Sequence, residues 1–238
     1  MKNNNKKFIL IPLLSSLVIL LSACSIIVSD HNDSKPKIRT TISNQGFNKL
    51  AVSVAISDIS VKYGDKYKVE YAGPKNLKPT VNRKNGVLTI KQSASGVHHV
   101  NSDLTIAITV PKQLLKNVTL STNDGDIEVE NIATTNSISV DTNDGDIDIT
   151  NLRAPNGKIN TNDGDININK LISKNGFKVN TDDGDIKVSN SSFTGYRLDT
   201  SDGDIKVKDS SSSSTFIDNK NSSNVLIAST QDGDIKIK

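Results

Sequence analysis

Two aspartates flank a glycine in a motif that this sequence repeats six times between Thr122 and Lys238. Paired carboxylates can bind a hard cation such as calcium, which takes several carboxylate and carbonyl oxygens, and they can also act as acid and base in hydrolysis. The structural alternative is that Asp-Gly-Asp makes a turn, in which the aspartates cap backbone N–H groups or face water. The twelve aspartates are Asp124, Asp126, Asp144, Asp146, Asp163, Asp165, Asp183, Asp185, Asp202, Asp204, Asp232 and Asp234.

The sequence favours the structural interpretation over both kinds of chemistry. The motif lacks the nine-residue glycine-rich calcium repeat and the twelve-residue EF-hand loop, so we expect no metal and keep calcium as the alternative. An active site singles out a few positions, whereas these acids recur in every copy, so we expect no enzyme. His31 lies in a predicted tether and the pair His98 and His99 in a predicted turn, where exposed loop positions are the simpler explanation. A carboxylate row at strand spacing also repels itself, which predicts raised pKa values or captured cations.

Glycine and apolar spacing show which elements position these aspartates. Glycine accepts φ > 0 without a Cβ clash, so each Asp-Gly predicts a corner. After each corner, Ile or Val recurs two residues apart, as in Ile147/Ile149 and Ile166/Ile168, which predicts a strand with one buried face. The steps between successive glycines are 20, 19, 20, 19 and 30 residues, and the glycines are Gly125, Gly145, Gly164, Gly184, Gly203 and Gly233.

Two architectures accommodate such a unit. In a hairpin meander, Asp-Gly would form type I′ turns, but six successive hairpins would leave a long one-sided sheet uncovered. In a β-solenoid each period is one coil, and equivalent residues stack at about 4.8 Å. Leucine-rich repeats share the period but need another leucine spacing. We therefore predict an all-β fold, a right-handed single-stranded β-solenoid of about 20-residue coils with a diverse N-terminal β cap region.

The N-terminus has the pattern of an export signal. Residues 1–23 combine three lysines with an apolar run that is short for a membrane-spanning helix. The run ends in Leu21-Ser-Ala-Cys24, which resembles the bacterial lipobox, and Cys24 is the sole cysteine. That resemblance implies cleavage before Cys24, diacylglycerol on its thiol, further acylation such as palmitate, and a mature lipoprotein tethered outside the cytoplasmic membrane.

Charge is unevenly distributed along the mature chain. Without the signal there are 26 basic and 26 acidic residues, which gives no electrostatic support for a nucleic-acid partner. Residues 24–121 carry 14 basic and 6 acidic residues, whereas 122–238 carry 12 and 20. The basic part could lie against anionic lipid or wall polymer, or the asymmetry could simply reflect the Asp-rich corners.

The sequence divides into four segments. Residues 1–23 form the predicted signal peptide and 24–37 a polar tether. Residues 38–121 read as a β region that either contributes early coils or closes the end of the array. Residues 122–238 form the repeat array, with a Ser-rich mobile loop predicted at 209–224 and no cap after Lys238.

The region before the array carries a family resemblance. The segments Ile59-Ser-Val-Lys-Tyr-Gly-Asp-Lys-Tyr-Lys-Val-Glu-Tyr71, Leu104-Thr-Ile-Ala-Ile-Thr-Val-Pro111 and Thr119-Leu-Ser-Thr-Asn-Asp-Gly-Asp-Ile127 occur in that order. This order resembles the "putative adhesin" family of bacterial β-strand-repeat envelope proteins, over roughly residues 45–238. The resemblance implies a β-solenoid-like fold and an envelope location, and it brings no catalytic residues.

These observations predict a lipid-anchored surface protein that acts as a non-catalytic binding or presentation scaffold. The expected partners are the membrane, through the lipid anchor, and a glycan, wall polymer or surface protein. The alternative is an envelope-stress or structural accessory protein without an extracellular ligand of its own.

Overall fold

The computed structural model describes residues 37–93, 104–111 and 114–238. The predicted signal peptide, Cys24, His31, His98 and His99 lie outside these residues. The chain divides into two compact units, Met1–Asp33 and Ser34–Lys238, and every described residue belongs to the second. No helix in the described residues is long and apolar enough to cross a membrane.

Strands make up most of the second unit. One 3₁₀ turn, Lys75–Leu77, joins the fourth and fifth strands. The strands are β1 Lys37–Ser43, β2 Lys49–Ser53, β3 Asp58–Tyr63, β4 Lys68–Pro74, β5 Thr80–Lys84, β6 Val87–Lys91, β7 Thr105–Val110, β8 Leu115–Ser121, β9 Ile127–Glu130, β10 Thr134–Asp141, β11 Ile147–Arg153, β12 Asn156–Asn160, β13 Ile166–Ile172, β14 Phe177–Asn180, β15 Ile186–Ser189, β16 Gly195–Asp202, β17 Ile205–Val207, β18 Ser210–Ser212, β19 Thr215–Asp218, β20 Val225–Asp232 and β21 Ile235–Ile237.

The strands form two long sheets that enclose one interior. Sheet A has the order β1-β4-β7-β3-β9-β11-β13-β15-β21-β17-β18, and sheet B has the order β19-β16-β20-β14-β12-β10-β8-β2-β6-β5. A coil consists of one sheet B strand, a corner and one sheet A strand, and neighbouring coils pair in parallel. This is a β-solenoid, as predicted. A hairpin meander would pair successive strands antiparallel, so that alternative is wrong.

The parallel register places identical positions of successive coils beside one another. Ile147 lies between Ile127 and Ile166 in sheet A, and Val140 lies between Leu120 and Ile159 in sheet B. All of these side chains are buried. The apolar residues that alternate along each strand therefore stack across coils into continuous buried rows. Burial of these rows supplies most of the stabilisation.

The coils do not stack in sequence order at either end. In the array, the C-terminal coil β20–β21 lies between coils β14–β15 and β16–β17. At the other end, coil β2–β3 lies between β6–β7 and β8–β9. The order in space thus differs from the order in sequence at these two places. In the array, the near-identical motif copies leave the neighbour of each coil undetermined by the motif alone.

Both ends of the stack are closed by antiparallel strands. At the end nearest the N-terminus, β4 and β1 extend sheet A while β5 extends sheet B. At the other end, β18 pairs with β17 and β19 pairs with β16. The segment 209–224, predicted as a mobile loop, therefore contains two short strands that cap the array. The N-terminal region contributes both coils and a cap.

The buried isoleucine rows provide a direct test of the fold. Ile166 is 0% exposed and neighbours Ile147 and Ile186. We expect Ile166→Asp to cost more than about 4 kcal/mol, because it buries a carboxylate without a partner. Asn167→Asp adds the same charge to the same strand at a partly exposed position, so thermal and urea unfolding should change little for that control. Equal melting curves for both variants would contradict the assigned interior.

The position of the C-terminal coil predicts a hydrogen-exchange pattern. Ile235 donates its backbone N–H to the carbonyl of Asp204 at 2.9 Å, and Ile186 donates to Asp234 at 2.9 Å. We expect the Ile235 amide to exchange about as slowly as that of Ile186, because strands flank it on both sides. Native-state exchange measured by NMR tests this, with Ser211 in an edge strand as the fast reference. Exchange of Ile235 at the rate of Ser211 would contradict the stacking order.

Candidate functional site

The Asp-Gly-Asp corners stack so closely that only glycine fits between the aspartates. Gly145 has φ +151°, and a Cβ atom there would lie 2.2 Å from the carbonyl oxygen of Gly125 in the neighbouring coil. At Gly184 the corresponding distance, to the oxygen of Gly164, is 2.1 Å. The repeated glycine therefore satisfies both a backbone conformation and a close approach between coils.

Backbone and threonine groups bond each corner to the next. The Gly145 N–H donates to the Asp163 carbonyl at 2.9 Å, and the Asp163 N–H donates to the Asn143 carbonyl at 2.8 Å. The buried Thr161 hydroxyl donates to the Gly145 carbonyl at 3.0 Å. Equivalent threonine bonds recur at Thr142, Thr181, Thr200 and Thr230. The threonine that opens each motif is thus a buried bonding residue of the corner.

The second aspartate of five motifs accepts a backbone N–H from the next coil, and Asp204, at the end of the row, donates its own N–H to Asp234. Asp165 Oδ1 accepts the N–H of Asp185 at 2.8 Å, and Asp185 Oδ1 accepts the N–H of Asp234 at 2.9 Å. The full row, in spatial order, is Asp58, Asp126, Asp146, Asp165, Asp185, Asp234 and Asp204. These hydrogen bonds link each corner to the corner of the neighbouring coil.

The first aspartate of each motif has a different role. Its backbone forms bridges to the neighbouring coils, as between Asp144 and Asp163, while its side chain is exposed. Among the described residues, these six carboxylates make no hydrogen bond or ion pair. No three Asp, Glu, His or Cys side chains of the described residues converge as metal ligands. The first row, in spatial order, is Asp124, Asp144, Asp163, Asp183, Asp232 and Asp202.

Repulsion between neighbouring carboxylates does not raise the pKa of Asp234 in the second row. The pKa of Asp234 lies below the ordinary value of 3.8, first because the Asp204 N–H donates to its carboxylate and then because Lys236 does. Lys236 Nζ lies 2.9 Å from Asp234, and Lys187 Nζ lies 3.3 Å from Asp185. The prediction of a raised pKa is therefore wrong at this residue, because the Asp204 N–H of the next coil and the Lys236 ammonium of the same coil stabilise the charged form.

One member of the second row escaped the sequence analysis. Asp58 Oδ1 accepts the N–H of Asp126 at 3.0 Å, although Asp58 follows serine rather than glycine. The neighbouring Ser57 is fully buried and donates its hydroxyl to Gln92. The signal that could have revealed this coil is Asp58-Ile-Ser-Val61, which keeps the Asp-Ile-x-Val frame of the array.

The return corners, which lead from sheet A back to sheet B, were also missed. Asn131, Asn151 and Asn190 have φ of 57°, 54° and 54°, in the left-handed region that asparagine tolerates. Asn151 donates from its side-chain amide to that of Asn131. Single asparagines after Glu130, Thr150 and Ser189, at nearly the period of the glycines, were the available signal.

A cleft of about 480 Å³ lies beside the return corners, away from the Asp-Gly-Asp rows. Tyr63, Pro111, Leu114, Ile132 and Arg153 contribute to its walls. None of the twelve predicted aspartates and none of the six glycines lines it. The structure therefore brings the predicted site residues together as a stacked corner, and places this cleft elsewhere.

The fold and corners define a class of protein, the capped two-sheet β-solenoid whose repeat motif bonds coil to coil. A family model described as Toastrack DUF4097 matches residues 47–220. The chain belongs to this Toastrack family, a domain of unknown function. No curated protein matches the sequence.

The chain is similar to solved structures at low sequence identity. A "putative adhesin" from Bacteroides fragilis NCTC 9343 is 18% identical, with a TM-score of 0.50, and the match covers 86% of this chain and 98% of that one. A "putative cell adhesion protein" from Clostridium sporogenes ATCC 15579 is 12% identical, with a TM-score of 0.46 and coverages of 85% and 98%. A "putative lipid binding protein" from Parabacteroides distasonis ATCC 8503 is 13% identical, with a TM-score of 0.35 and coverages of 87% and 98%.

Truncating an aspartate of the second row should lower the stability of the protein, whereas truncating one of the first row should change it little. Asp165→Ala removes the acceptor of the Asp185 N–H, so we expect it to destabilise the protein by about 1 to 3 kcal/mol. Asp165→Asn keeps an oxygen acceptor and should recover most of this loss. Asp163→Ala removes an exposed carboxylate that has no side-chain bond and should change stability by less than about 0.5 kcal/mol.

Urea unfolding in calcium and in chelator measures both effects. We expect the same midpoint in the two buffers for each protein. A midpoint that rises with calcium in the unmutated protein, and not in Asp163→Ala, would instead assign the first row to a metal site.

Proposed function

We propose that this protein is a lipid-anchored, non-catalytic binding scaffold displayed at the bacterial envelope. The observation that carries the proposal is the coil-to-coil bonding of the motif. Its threonine hydroxyls, glycine amides and second aspartates all bond within the stack. The most repeated polar groups of the chain thus build a rigid surface, which supports a binding role rather than catalysis.

The outer faces of the sheets suit repeated weak contacts with an extended ligand. Outward positions of successive coils lie in register, as for Asn160, Asn180 and Ser229 in sheet B, which are joined by side-chain hydrogen bonds. A polymer lying along the stack would meet polar groups at the coil spacing of about 4.8 Å. Many such contacts add up to useful avidity even when each is weak. A glycan, wall polymer or surface protein is the proposed class of ligand.

The name of one structural neighbour agrees with this proposal. The Bacteroides fragilis protein is named a "putative adhesin". Its structural similarity to this chain indicates a shared fold. We extend its adhesive role to this protein as part of the proposal. The anchor in the proposal is the lipobox-like Leu21-Ser-Ala-Cys24.

Membrane fractionation of cells that express the full chain tests the anchor. We expect wild-type protein to be processed and to sediment with membranes, because acyl chains on Cys24 insert into the bilayer. Cys24→Ser should yield unprocessed or released protein, and Ser22→Thr, which leaves the cysteine in place, is the matched control. Processed Cys24→Ser protein that still sediments with membranes would refute the lipid anchor.

The binding role is tested separately with fragment 34–238, which contains the whole described core. We expect saturable binding to purified wall polymer or surface glycan, measured by sedimentation. Binding to a membrane protein partner alone would favour the accessory role in envelope stress or envelope structure.

A further inference from the structure

The end of the solenoid nearest the N-terminus presents an unpaired basic surface on sheet B. The four neighbouring strands β5, β6, β2 and β8 carry Lys49, Arg83, Lys84, Lys91 and Lys116 and contain no acidic residue. All five side chains are exposed, and none forms an ion pair with a described residue. The proposed function does not use this surface.

The pairing register places three of these lysines on the outer side of the sheet. Lys84 pairs with Val87, which pairs with Lys49 on the next strand, so the two lysines share a face about 10 Å apart. Lys91 lies on the same face, because the alternating Leu88 and Ile90 are buried. We name Lys49, Lys84 and Lys91 the basic face.

Short side chains separate these lysines. The other outward positions of β2, β5 and β6 are Ala51, Ser53, Thr80, Asn82, Val87 and Thr89. The long lysine side chains therefore extend furthest from a nearly flat strand surface. A flat polyanion can contact all three ammonium groups at once.

The rest of the surface makes the basic face distinct. Further along sheet B, the outward rows carry Asp141 and Asp199, each beside a basic side chain. In sheet A, Lys187 and Lys236 are likewise paired with aspartates. The basic face differs from these regions because its lysines lie on neighbouring strands that contain no acidic residue. Its outward positions include no aromatic residue, which disfavours binding of single-stranded nucleic acid by base stacking.

We propose that the basic face docks on an anionic phospholipid bilayer. The choice of a bilayer rests on the proposed anchor at Cys24, because strand β1 begins the fold at the same end of the stack as β5. Lys37 lies 13 residue steps after Cys24, a span of at most about 45 Å when fully extended. The lipid tether and the basic face would then both hold this end of the solenoid at the membrane.

Sedimentation with lipid vesicles tests the proposal without the anchor. Fragment 34–238 is mixed with vesicles of phosphatidylcholine that contain one third phosphatidylglycerol, or with pure phosphatidylcholine vesicles, at about 0.1 M salt. We expect binding to the anionic vesicles only, and its loss at about 1 M salt, where charges are screened beyond about 3 Å.

A pair of charge-matched variants identifies the surface. Removing one lysine near an anionic membrane lowers affinity about fivefold, so Lys49→Gln, Lys84→Gln and Lys91→Gln combined should lower it about 100-fold. The control combines Lys206→Gln, Lys220→Gln and Lys238→Gln, which are exposed and unpaired among the described residues at or near the other end of the stack. This control should bind like the unmutated fragment.

Three results would overturn the proposal: no binding to anionic vesicles, equal binding to neutral vesicles, or equal losses in both triple variants. Binding of soluble polyphosphate without vesicle binding would assign the basic face to a polymer and would also overturn it. These outcomes are independent of the Cys24→Ser experiment, because the fragment lacks the cysteine. A failed anchor and a failed basic face are therefore distinguishable.

Discussion

The close contact between successive Asp-Gly-Asp corners is the constraint on which the rest of the solenoid depends. The glycine Cα of one corner lies very close to the glycine carbonyl oxygen of the neighbouring corner. Where both corners carry the motif, a Cβ atom on that glycine would lie 2.1 to 2.2 Å from the oxygen. This approach lets each Gly N–H reach the carbonyl of the next coil at 2.9 Å. The corner thereby sets the spacing at which the strands on both sides can pair and the isoleucine rows can pack.

Charged side chains take a structural part in this contact. A carboxylate of the second row accepts a main-chain N–H that would otherwise be unpaired at a bend, where the sheet ladder is interrupted. Each coil thus supplies the acceptor that the next coil needs. Lys187 and Lys236 reduce the repulsion along the row where it passes the outer face of sheet A. The negative charge of the second row is therefore shared with main-chain N–H groups and, near Lys187 and Lys236, with ammonium groups.

The sequence was sufficient to predict the coils and insufficient to predict their order. Ile127, Ile147 and Ile166 recur with the glycines, so their common burial follows from periodicity. The motifs at Thr200 and Thr230 are nearly identical, and pairing preferences between near-identical strands carry no information about which is adjacent to Thr181. The capping role of Ser210–Ser212 was equally hidden, because its pairing with β17 is made by the main chain. Asp58 was hidden because its neighbour is serine.

The inserted C-terminal coil has a consequence for how the protein is made. Among the described strands, coil β16–β17 pairs with the rest of the stack through β20 and β21, which follow it in the sequence. Residues 195–218 therefore cannot take their final place, and the far end cannot close, until residue 237 has left the ribosome. Docking of coil β16–β17 onto the stack must accordingly wait for a segment that follows it in the sequence. A factor that binds unfolded nascent chains therefore has more time to bind residues 195–218 than the coils that dock in sequence order.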